Sequence, residues 1–276
     1  MRQYRAAHEV VRGLIEARLR RAELPLAEYR TLNAFFARRL RAGLRPVADA
    51  ADSQRLCCPV DGRYSCFESL GAARALWIKG RNFTVDELVG VAGATDAGRQ
   101  IAALASHRLR RAAVCVARLA PTDYHRVHAP CVGRVARLVE IGGDYFPVKP
   151  VCVTSDIDVL TLNRRVVVQI DLPDEQMGPV FVVLVGAIEV GSIVLTAEVG
   201  DVLAKGDELG YFQYGGSTVC VVQRSQVHFE EDLLANSRNR SETLCRMGQP
   251  LAHNVHFIPP LDEQPFLRWA LSSNPP

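Results

Sequence analysis

The sequence predicts an α+β fold in which N-terminal helices precede a β-rich body of short, mostly antiparallel strands. Two observations support this prediction. Residues 2–21 place apolar side chains at helical spacing with arginines between them, and residues 32–40 continue as a second helix. From residue 55 onward, short runs rich in Val and Ile alternate with Gly, Pro, Asp and Asn, which is typical of strands joined by turns.

The chain of 276 residues is long enough for one large domain with a helical extension. We expect a basic, helical region at residues 1–45 and a single domain at residues 46–276. The arginines at the N-terminus fit a helix with a solvated basic face as well as they fit contact with an anionic membrane. The formal net charge of +3 does not identify a partner, and we expect no nucleic acid partner.

Local patterns predict the individual elements of the body. Thr84, with Glu87 three positions later, has the spacing of a helix N-cap and its capping box. Pro-Val-Asp-Gly at residues 59–62 favours a hairpin turn. A further helix is expected at residues 230–244 and a loosely held tail at residues 259–276. The expected strands are residues 76–82, 108–118, 133–141, 146–148, 165–172, 180–185 and 188–195.

No apolar run reaches the ~18 residues of a membrane span, and the start lacks the apolar core of a secretory signal. We therefore expect no transmembrane segment, and a protein that is either cytoplasmic or peripheral on a membrane facing a reducing compartment. The eight cysteines contain no C-x-x-C pair, so they fit reduced, mostly buried thiols better than disulfides or a zinc site.

Gly-Gly-Ser-Thr at residues 215–218 lies between an aromatic run and a β-branched run. Two glycines permit backbone angles that a Cβ would forbid, so Ser217 is expected on a strained connection whose preceding carbonyl is open to attack. A simple hairpin turn is the alternative interpretation of this tetrapeptide.

His125 and His128 lie in a second polar stretch, Asp-Tyr-His-Arg-Val-His-Ala-Pro at residues 123–130. Two histidines beside Asp, Tyr and Arg favour a site that moves protons or holds an anion. We expect no metal site, because the spacing supplies no third and fourth ligand.

These motifs, in this order, resemble the phosphatidylserine decarboxylase family. The resemblance rests on Phe-Phe-Ala-Arg at residues 35–38, Pro-Val-Asp-Gly at 59–62, the histidine stretch at 123–130 and Gly-Gly-Ser-Thr at 215–218. Residues 185–193 and 205–212 also match. Residues 200–210 resemble, in addition, the turn-strand-turn pattern of lipoyl- and biotinyl-type β-sandwiches, without the context of their carrier lysine.

The resemblance implies a chain that cleaves itself between Gly216 and Ser217. Asp61, His128 and Ser217 would form the triad for this step, with His128 as base and Asp61 orienting it. The products would be a large chain of residues 1–216 and a small chain of residues 217–276, which stay together as a heterodimer. The resemblance is also compatible with a larger oligomer. Ser217 would become a covalent pyruvoyl cofactor.

The same resemblance implies a decarboxylase that converts phosphatidylserine to phosphatidylethanolamine and CO2 through a Schiff base, in peripheral contact with an anionic membrane. His125 is the candidate for proton transfer in that step. Three alternatives stay open: decarboxylation of a soluble amino acid, hydrolysis of an external ester or peptide, and a non-processing scaffold or binding protein. Val219 argues against the hydrolase, because the Gly-x-Ser-x-Gly elbow requires glycine there.

Overall fold

The structure is a computed structural model that describes residues 20–69, 72–73, 84–90, 112–148, 158–174, 177–187, 192–215, 217–223 and 227–254. Several expectations therefore lie wholly or largely outside the described residues. These are the first helix, the strand at 76–82, the tail at 259–276, the first part of the strand at 188–195, and Gly216 and Cys152.

Four α-helices and fourteen strands occur in the described ranges. The helices are α1 Leu32–Phe36, α2 Val85–Leu88, α3 Val159–Leu162 and α4 Glu231–Arg238, with a 3-10 turn at Leu26–Glu28. The strands are β1 Arg55–Cys57, β2 Gly62–Phe67, β3 Ala113–Leu119, β4 Arg126–His128, β5 Gly133–Ile141, β6 Arg165–Asp171, β7 Val180–Gly186, β8 Ile193–Leu195, β9 Val202–Leu203, β10 Glu208–Phe212, β11 Ser217–Gln223, β12 Val227–Phe229, β13 Thr243–Cys245 and β14 Pro250–Asn254. The α+β prediction with mostly antiparallel strands is confirmed.

The strands form one large sheet and two small ones. The large sheet has the order β13-β2-β3-β11-β7-β6-β5-β9, and the small sheets are β4-β10-β8 and β1-β14-β12. Every strand pairing is antiparallel. Strand β11 lies between β3 and β7, so it is an interior strand of the large sheet.

Both faces of the large sheet are buried. Along β11, Val219 and Val221 belong to one hydrophobic cluster, and Cys220 and Val222 belong to the other. This follows from the alternation of side chains along a strand, because two covered faces require apolar residues at every position. The Val-rich composition of β6, β7 and β11 is therefore explained by a sheet with a core on each side.

Several local predictions are confirmed. The hydroxyl of Thr84 accepts a hydrogen bond from the backbone N–H of Glu87 at 3.0 Å, as the capping-box pattern predicts. The expected strand at residues 133–141 is β5, with the same bounds. The strands expected at 165–172 and 180–185 are β6 and β7, each within one residue at its C-terminal end. All cysteines in the described ranges are free and buried.

Other predictions were wrong in length or type. The second helix ends at Phe36 instead of residue 40, and the helix expected at 230–244 ends at Arg238. Arg240 then adopts a positive φ of 57°, and the chain continues into β13, whose pairing with β2 outweighs helical propensity. Residues 146–148 are not a strand, because the side chain of Asn163 binds the N–H and the C=O of Phe146 instead.

The turn at residues 59–62 is not a hairpin. It connects β1 of a small sheet with β2 of the large sheet, which do not pair with each other. Asp61 therefore lies where two sheets meet. Within the described ranges, no helix is long and apolar enough to cross a membrane.

Candidate active site

Ser217 is the first residue of β11 and is fully buried. Its backbone pairs with Leu119 on one side and with Gly186 on the other. Its Oγ has no hydrogen-bond partner among the described residues. Because a buried hydroxyl is normally paired, this oxygen is a candidate for chemistry.

The residues before Ser217 form a crossing between sheets. The chain leaves β10 in a small sheet at Phe212 and enters β11 in the large sheet at Ser217. Gly215 has φ of 148°, in the range where a side chain is strained. The expected connection between strands is observed here, with glycine at the position whose φ would strain a side chain, and strain at Ser217 itself stays a prediction. The alternative of a hairpin turn is wrong, because β10 and β11 lie in different sheets.

His125 is buried between the backbone of Asp123 and the ring of Phe36. Its Nδ1 lies 2.9 Å from the carbonyl oxygen of Asp123, so Nδ1 carries the proton and donates it. The two ring centroids, of His125 and Phe36, are 3.7 Å apart. Nε2 is buried and has no partner in the described part of the chain.

Burial lowers the pKa of His125 to about 3, although its hydrogen bond to Asp123 acts in the opposite direction. The imidazole is therefore neutral at pH 7. Its Nε2 carries a lone pair that is available to a substrate or to the chain.

His128 has both ring nitrogens occupied. Nδ1 donates to the carbonyl oxygen of Gly206 at 2.8 Å, which fixes the tautomer. Nε2 then accepts a hydrogen bond from the hydroxyl of Tyr124 at 2.9 Å. Burial lowers the pKa of His128, so this imidazole is also neutral.

Asp61 forms an ion pair with Arg45. Its Oδ1 accepts hydrogen bonds from Arg45 Nε at 2.7 Å and from the backbone N–H of Met247 at 2.9 Å. Its Oδ2 accepts a second bond from Arg45, so the pair is bidentate. The charge of Asp61 raises the pKa of both His125 and His128, against the larger opposing effect of burial.

The expected hydrogen bond between Asp61 and His128 is therefore not formed in this structure. Asp61 acts on the imidazole through space, while Gly206 and Tyr124 orient it. Local sequence carries no signal for this arrangement. Arg45 is 16 residues from Asp61, and Gly206 is 78 residues from His128.

Strand register determines which histidine lies nearer the end of β10 that leads to Ser217. The backbone N–H of Phe212, at the end of β10 that leads to Ser217, donates to the carbonyl oxygen of His125 at 3.0 Å. His128 pairs with Glu208 at the opposite end of the same strand. The backbone of His125 thus lies closer to the exit of β10 than the backbone of His128 does.

A cavity of about 110 Å³ lies beside Asp61 and Tyr124. Its lining carries more positive than negative side chains: Arg21, Arg38, Arg45 and Arg246 against Asp61 and Asp123. Arg38 is buried and donates to the carbonyl oxygens of Thr122 and Asp123. In the described part of the chain, no three His, Cys, Asp or Glu side chains converge to hold a metal ion.

Comparison of the sequence with known proteins places the chain in a family. Residues 32–253 match the family described as phosphatidylserine decarboxylase. The chain belongs to the phosphatidylserine decarboxylase family. It is 42% identical over 231 residues to phosphatidylserine decarboxylase proenzyme 2 of Komagataella phaffii, covering 83% of this chain and 22% of that protein.

Two further relatives show how the length of family members varies. Proenzyme 2 of Oryza sativa is 41% identical over 229 residues, which is 82% of this chain and 35% of that protein. The proenzyme of Chlamydia trachomatis serovar L2b is 35% identical over 235 residues, 84% of this chain and 72% of that protein. The chain thus spans about a fifth to a third of the fungal and plant relatives, and most of the chlamydial one.

The match to the phosphatidylserine decarboxylase family covers all four predicted site residues, Asp61, His125, His128 and Ser217. Sequence reasoning missed further contacts of the site, among them Arg45, Gly206 and Phe36. Gly206 lies in the turn that resembles a β-sandwich element, and Phe36 lies in the Phe-Phe-Ala-Arg stretch. The available signal for Phe36 was the resemblance itself, which included this stretch without giving it a chemical role.

Proposed function

We propose that the chain is a pyruvoyl-dependent decarboxylase that converts phosphatidylserine to phosphatidylethanolamine and CO2 after cleaving itself between Gly216 and Ser217. The observation that carries the proposal is the Ser217 hydroxyl, which is buried, unpaired among the described residues and preceded two positions earlier by a glycine at positive φ. The names of the family and of its relatives supply the reaction.

Self-cleavage begins when Ser217 Oγ attacks the carbonyl carbon of Gly216 and gives its proton to a base. The base returns this proton to the Ser217 nitrogen as the peptide C–N bond breaks, and the acyl group moves from nitrogen to oxygen. Removal of the Ser217 Cα proton then breaks the Cβ–Oγ bond and releases the Gly216 carboxylate. Water hydrolyses the resulting dehydroalanine to a pyruvoyl group and ammonia, so every atom is accounted for.

His128 is proposed as the base for the attack, with Asp61 supporting its positive form. In the present arrangement the hydroxyl of Tyr124 is hydrogen-bonded to Nε2 of His128, and Asp61 is paired with Arg45. Cleavage by this triad therefore requires His128 to exchange the hydroxyl of Tyr124 for that of Ser217. Breaking the hydrogen bond to Tyr124 costs about 1 kcal/mol net, and the new hydrogen bond to Ser217 offsets this cost in part.

The residues around Ser217 fit a pyruvoyl group at that position. Loss of the unpaired Oγ would break no existing hydrogen bond among the described residues, and the ketone oxygen would take the place of the former Ser217 nitrogen on Cα. When present, the group supplies a ketone that can bind an amine and take up the electron pair of the bond to the departing carboxylate. Strand β11 would hold it between β3 and β7.

His125 is proposed to move the proton in the decarboxylation step. Its Nε2 is unprotonated and has no partner among the described residues, so it can take a proton from the substrate ammonium group. The negative charges of the substrate raise the pKa of the imidazole while they are bound nearby. The same Nε2 can then return the proton to the carbon that has lost CO2.

Residues 46–276 are proposed as the catalytic domain, and the fragments 1–216 and 217–276 are proposed to remain one folding unit. The smaller fragment contributes β11 to the interior of the large sheet, and β13 pairs with β2 of the larger fragment. Strand β14 pairs with β1 in a second sheet. These contacts bury much of the smaller fragment against the larger one, which resists dissociation.

A lipid substrate requires contact with a membrane, and residues 20–45 offer a surface for it. Leu24, Leu26 and Leu32 are exposed by 42%, 52% and 64%, and Arg20, Arg30 and Arg41 are exposed in the same segment. Apolar side chains among arginines favour an anionic bilayer. In addition, we propose that residues 200–210, with β9, a tight turn and β10, are the lipoyl-like element of the fold.

The test is the intact mass of the denatured protein for the parent, Ser217→Ala and Thr218→Val. Thr218 is the matched control because its hydroxyl is also buried and unpaired among the described residues, but it faces the opposite core. The parent and Thr218→Val should give two fragments, the smaller with a pyruvoyl N-terminus, and Ser217→Ala a single chain. Fragments from Ser217→Ala would overturn the mechanism.

Activity is measured on the same samples with phosphatidylserine vesicles and with free serine and tryptophan. Release of CO2 from the vesicles alone supports the lipid substrate. Release from a free amino acid alone would overturn it in favour of a soluble-substrate decarboxylase.

A further inference from the structure

We infer that Asn33 is a positioning residue for self-cleavage. It holds the loop between β10 and β11, residues 213–216, which we call the junction loop. This inference rests on the proposed self-cleavage and concerns a residue outside the predicted triad. Asn33 lies in α1, a helix of five residues. It is 181 residues away from Tyr214 of the junction loop in sequence but in contact with it in the fold.

The direct observation is a hydrogen bond from helix to loop. The side-chain oxygen of Asn33 accepts the backbone N–H of Tyr214 at 2.8 Å. Tyr214 precedes Gly216 by two residues and is partly exposed. The loop between β10 and β11 thus has a fixed point two residues along the chain from Gly216, whose carbonyl group Ser217 is proposed to attack.

A second contact joins the same helix to the loop and to His125. The ring of Phe36 lies 5.4 Å from the ring of Tyr214 and 3.7 Å from that of His125, measured between centroids. Asn33 and Phe36 are three residues apart, so they lie on neighbouring positions of one helix face. One short helix therefore contacts the junction loop twice and the histidine stretch once.

The helix is itself fixed on the histidine stretch. Arg38 donates to the carbonyl oxygens of Thr122 and Asp123, and the carbonyl oxygen of Asp123 also holds His125. Arg126 Nε donates to the carbonyl oxygen of Ala37. Because α1 is anchored to the turn that carries His125, the hydrogen bond from Tyr214 to Asn33 fixes the junction relative to the catalytic groups.

Positioning of this kind affects the rate of an intramolecular attack. The Ser217 oxygen reaches the preceding carbonyl only when the loop backbone has the required angles, and Gly215 permits many other angles. One hydrogen bond of ordinary net strength restricts the loop enough to change a rate about two- to tenfold.

The experiment follows the cleavage rate of the full chain in Asn33→Leu, Asn33→Asp and Asn239→Leu. Asn33→Leu removes the acceptor, and the first-order rate constant should fall about two- to tenfold. Asn33→Asp keeps an acceptor oxygen and should restore the parent rate. Asn239→Leu makes the same change at an exposed position at the C-terminal end of α4, so it is the control and should cleave like the parent.

Two more readouts separate a positioning role from a general loss of fold. Turnover per mole of pyruvoyl-bearing small chain should be the same in Asn33→Leu as in the parent, and its Tm should change little. A parallel fall of cleavage, turnover and Tm would overturn the inference, as would equal cleavage rates in all variants.

A final measurement does not depend on cleavage. In the Ser217→Ala background, the amide of Tyr214 should exchange with solvent deuterium more slowly when Asn33 is retained than when it is replaced in Asn33→Leu. Equal exchange would overturn the inference even if the parent chain did not cleave. A parent that does not cleave but shows the difference in exchange would instead contradict the proposed function alone.

Discussion

The hydroxyl of Tyr124 donates to Nε2 of His128 across 2.9 Å, while Gly206 fixes the other ring nitrogen. The lone pair that a general base needs is therefore occupied. His128 is neutral and correctly protonated on Nδ1 for the role of a base, yet it is bound to a tyrosine instead of the serine it is proposed to activate. The hydrogen bond between Tyr124 and His128 must therefore break before His128 can act as the base.

Tyr124→Phe should speed self-cleavage about two- to tenfold, because it frees Nε2 at the cost of one ordinary hydrogen bond. The hydroxyl stabilises the neutral imidazole, so its removal should also raise the pKa of His128 and move the acid limb of the rate profile to higher pH. Time courses of fragment yield between about pH 5 and 8 measure both effects. Tyr211→Phe is the control, since the ring stays beneath Arg126. A large loss of cleavage in folded Tyr124→Phe would instead make the hydroxyl part of the proton path.

The two histidines should respond differently to the same substitution. Asn places an N–H donor near the position of Nδ1, so His125→Asn and His128→Asn each keep one backbone contact and lose Nε2. His128→Asn should slow cleavage about 10²- to 10⁴-fold, whereas His125→Asn should cleave and then lose turnover by a similar factor. The reverse result would assign the base to His125, the histidine whose backbone lies at the junction end of β10.

Protonation of His125 should weaken the fold at acid pH. Its folded-state pKa of about 3 is below the ordinary value of 6.5, so the unfolded chain binds the proton first. The stabilisation is complete above pH ~6.5 and is lost as the pH falls towards ~3, by up to about 1.4 kcal/mol per pH unit. Urea unfolding of Ser217→Ala at several pH values, with and without His125→Asn, measures this contribution. Identical pH slopes in the two proteins would contradict it.

The ion pair between Arg45 and Asp61 should contribute strongly to stability because both side chains are largely buried, with 10% and 13% exposed. Arg45→Met leaves the Asp61 charge without its main partner and should lower the free energy of unfolding by about 3 kcal/mol. Asp61→Asn should lower the free energy of unfolding by a similar amount. The double variant should lose less stability than the sum of the two single losses. Denaturant unfolding in the Ser217→Ala background measures all three.

Arg164→Met is the matched control for this ion pair. Arg164 and Glu140 are 36% and 67% exposed, so breaking their contact should cost less than about 1 kcal/mol. Equal losses at the two arginines would show that burial does not distinguish them.

Local sequence patterns were sufficient to predict the class of fold and the positions of its clearest elements. The Val-rich runs of β6 and β7 and the capping box at Thr84 are local patterns, and local physics sufficed to predict them. The order of the motifs likewise indicated the family, which the match over residues 32–253 confirmed.

The hydrogen-bond and ion-pair partners of the site residues, in contrast, follow from the packing of the folded chain. Arg45 with Asp61, Tyr124 and Gly206 with His128, and Asn33 with Tyr214 are contacts that depend on the meeting of separate sheets, turns and helices. Side-chain geometry at such meeting points depends on how whole elements pack, because a hydrogen bond requires its two atoms within about 3.5 Å. No local spacing in the chain encodes that distance, so residue type and order predicted only Asp61, His125, His128 and Ser217 as site residues, and packing selected the partners of Asp61 and His128.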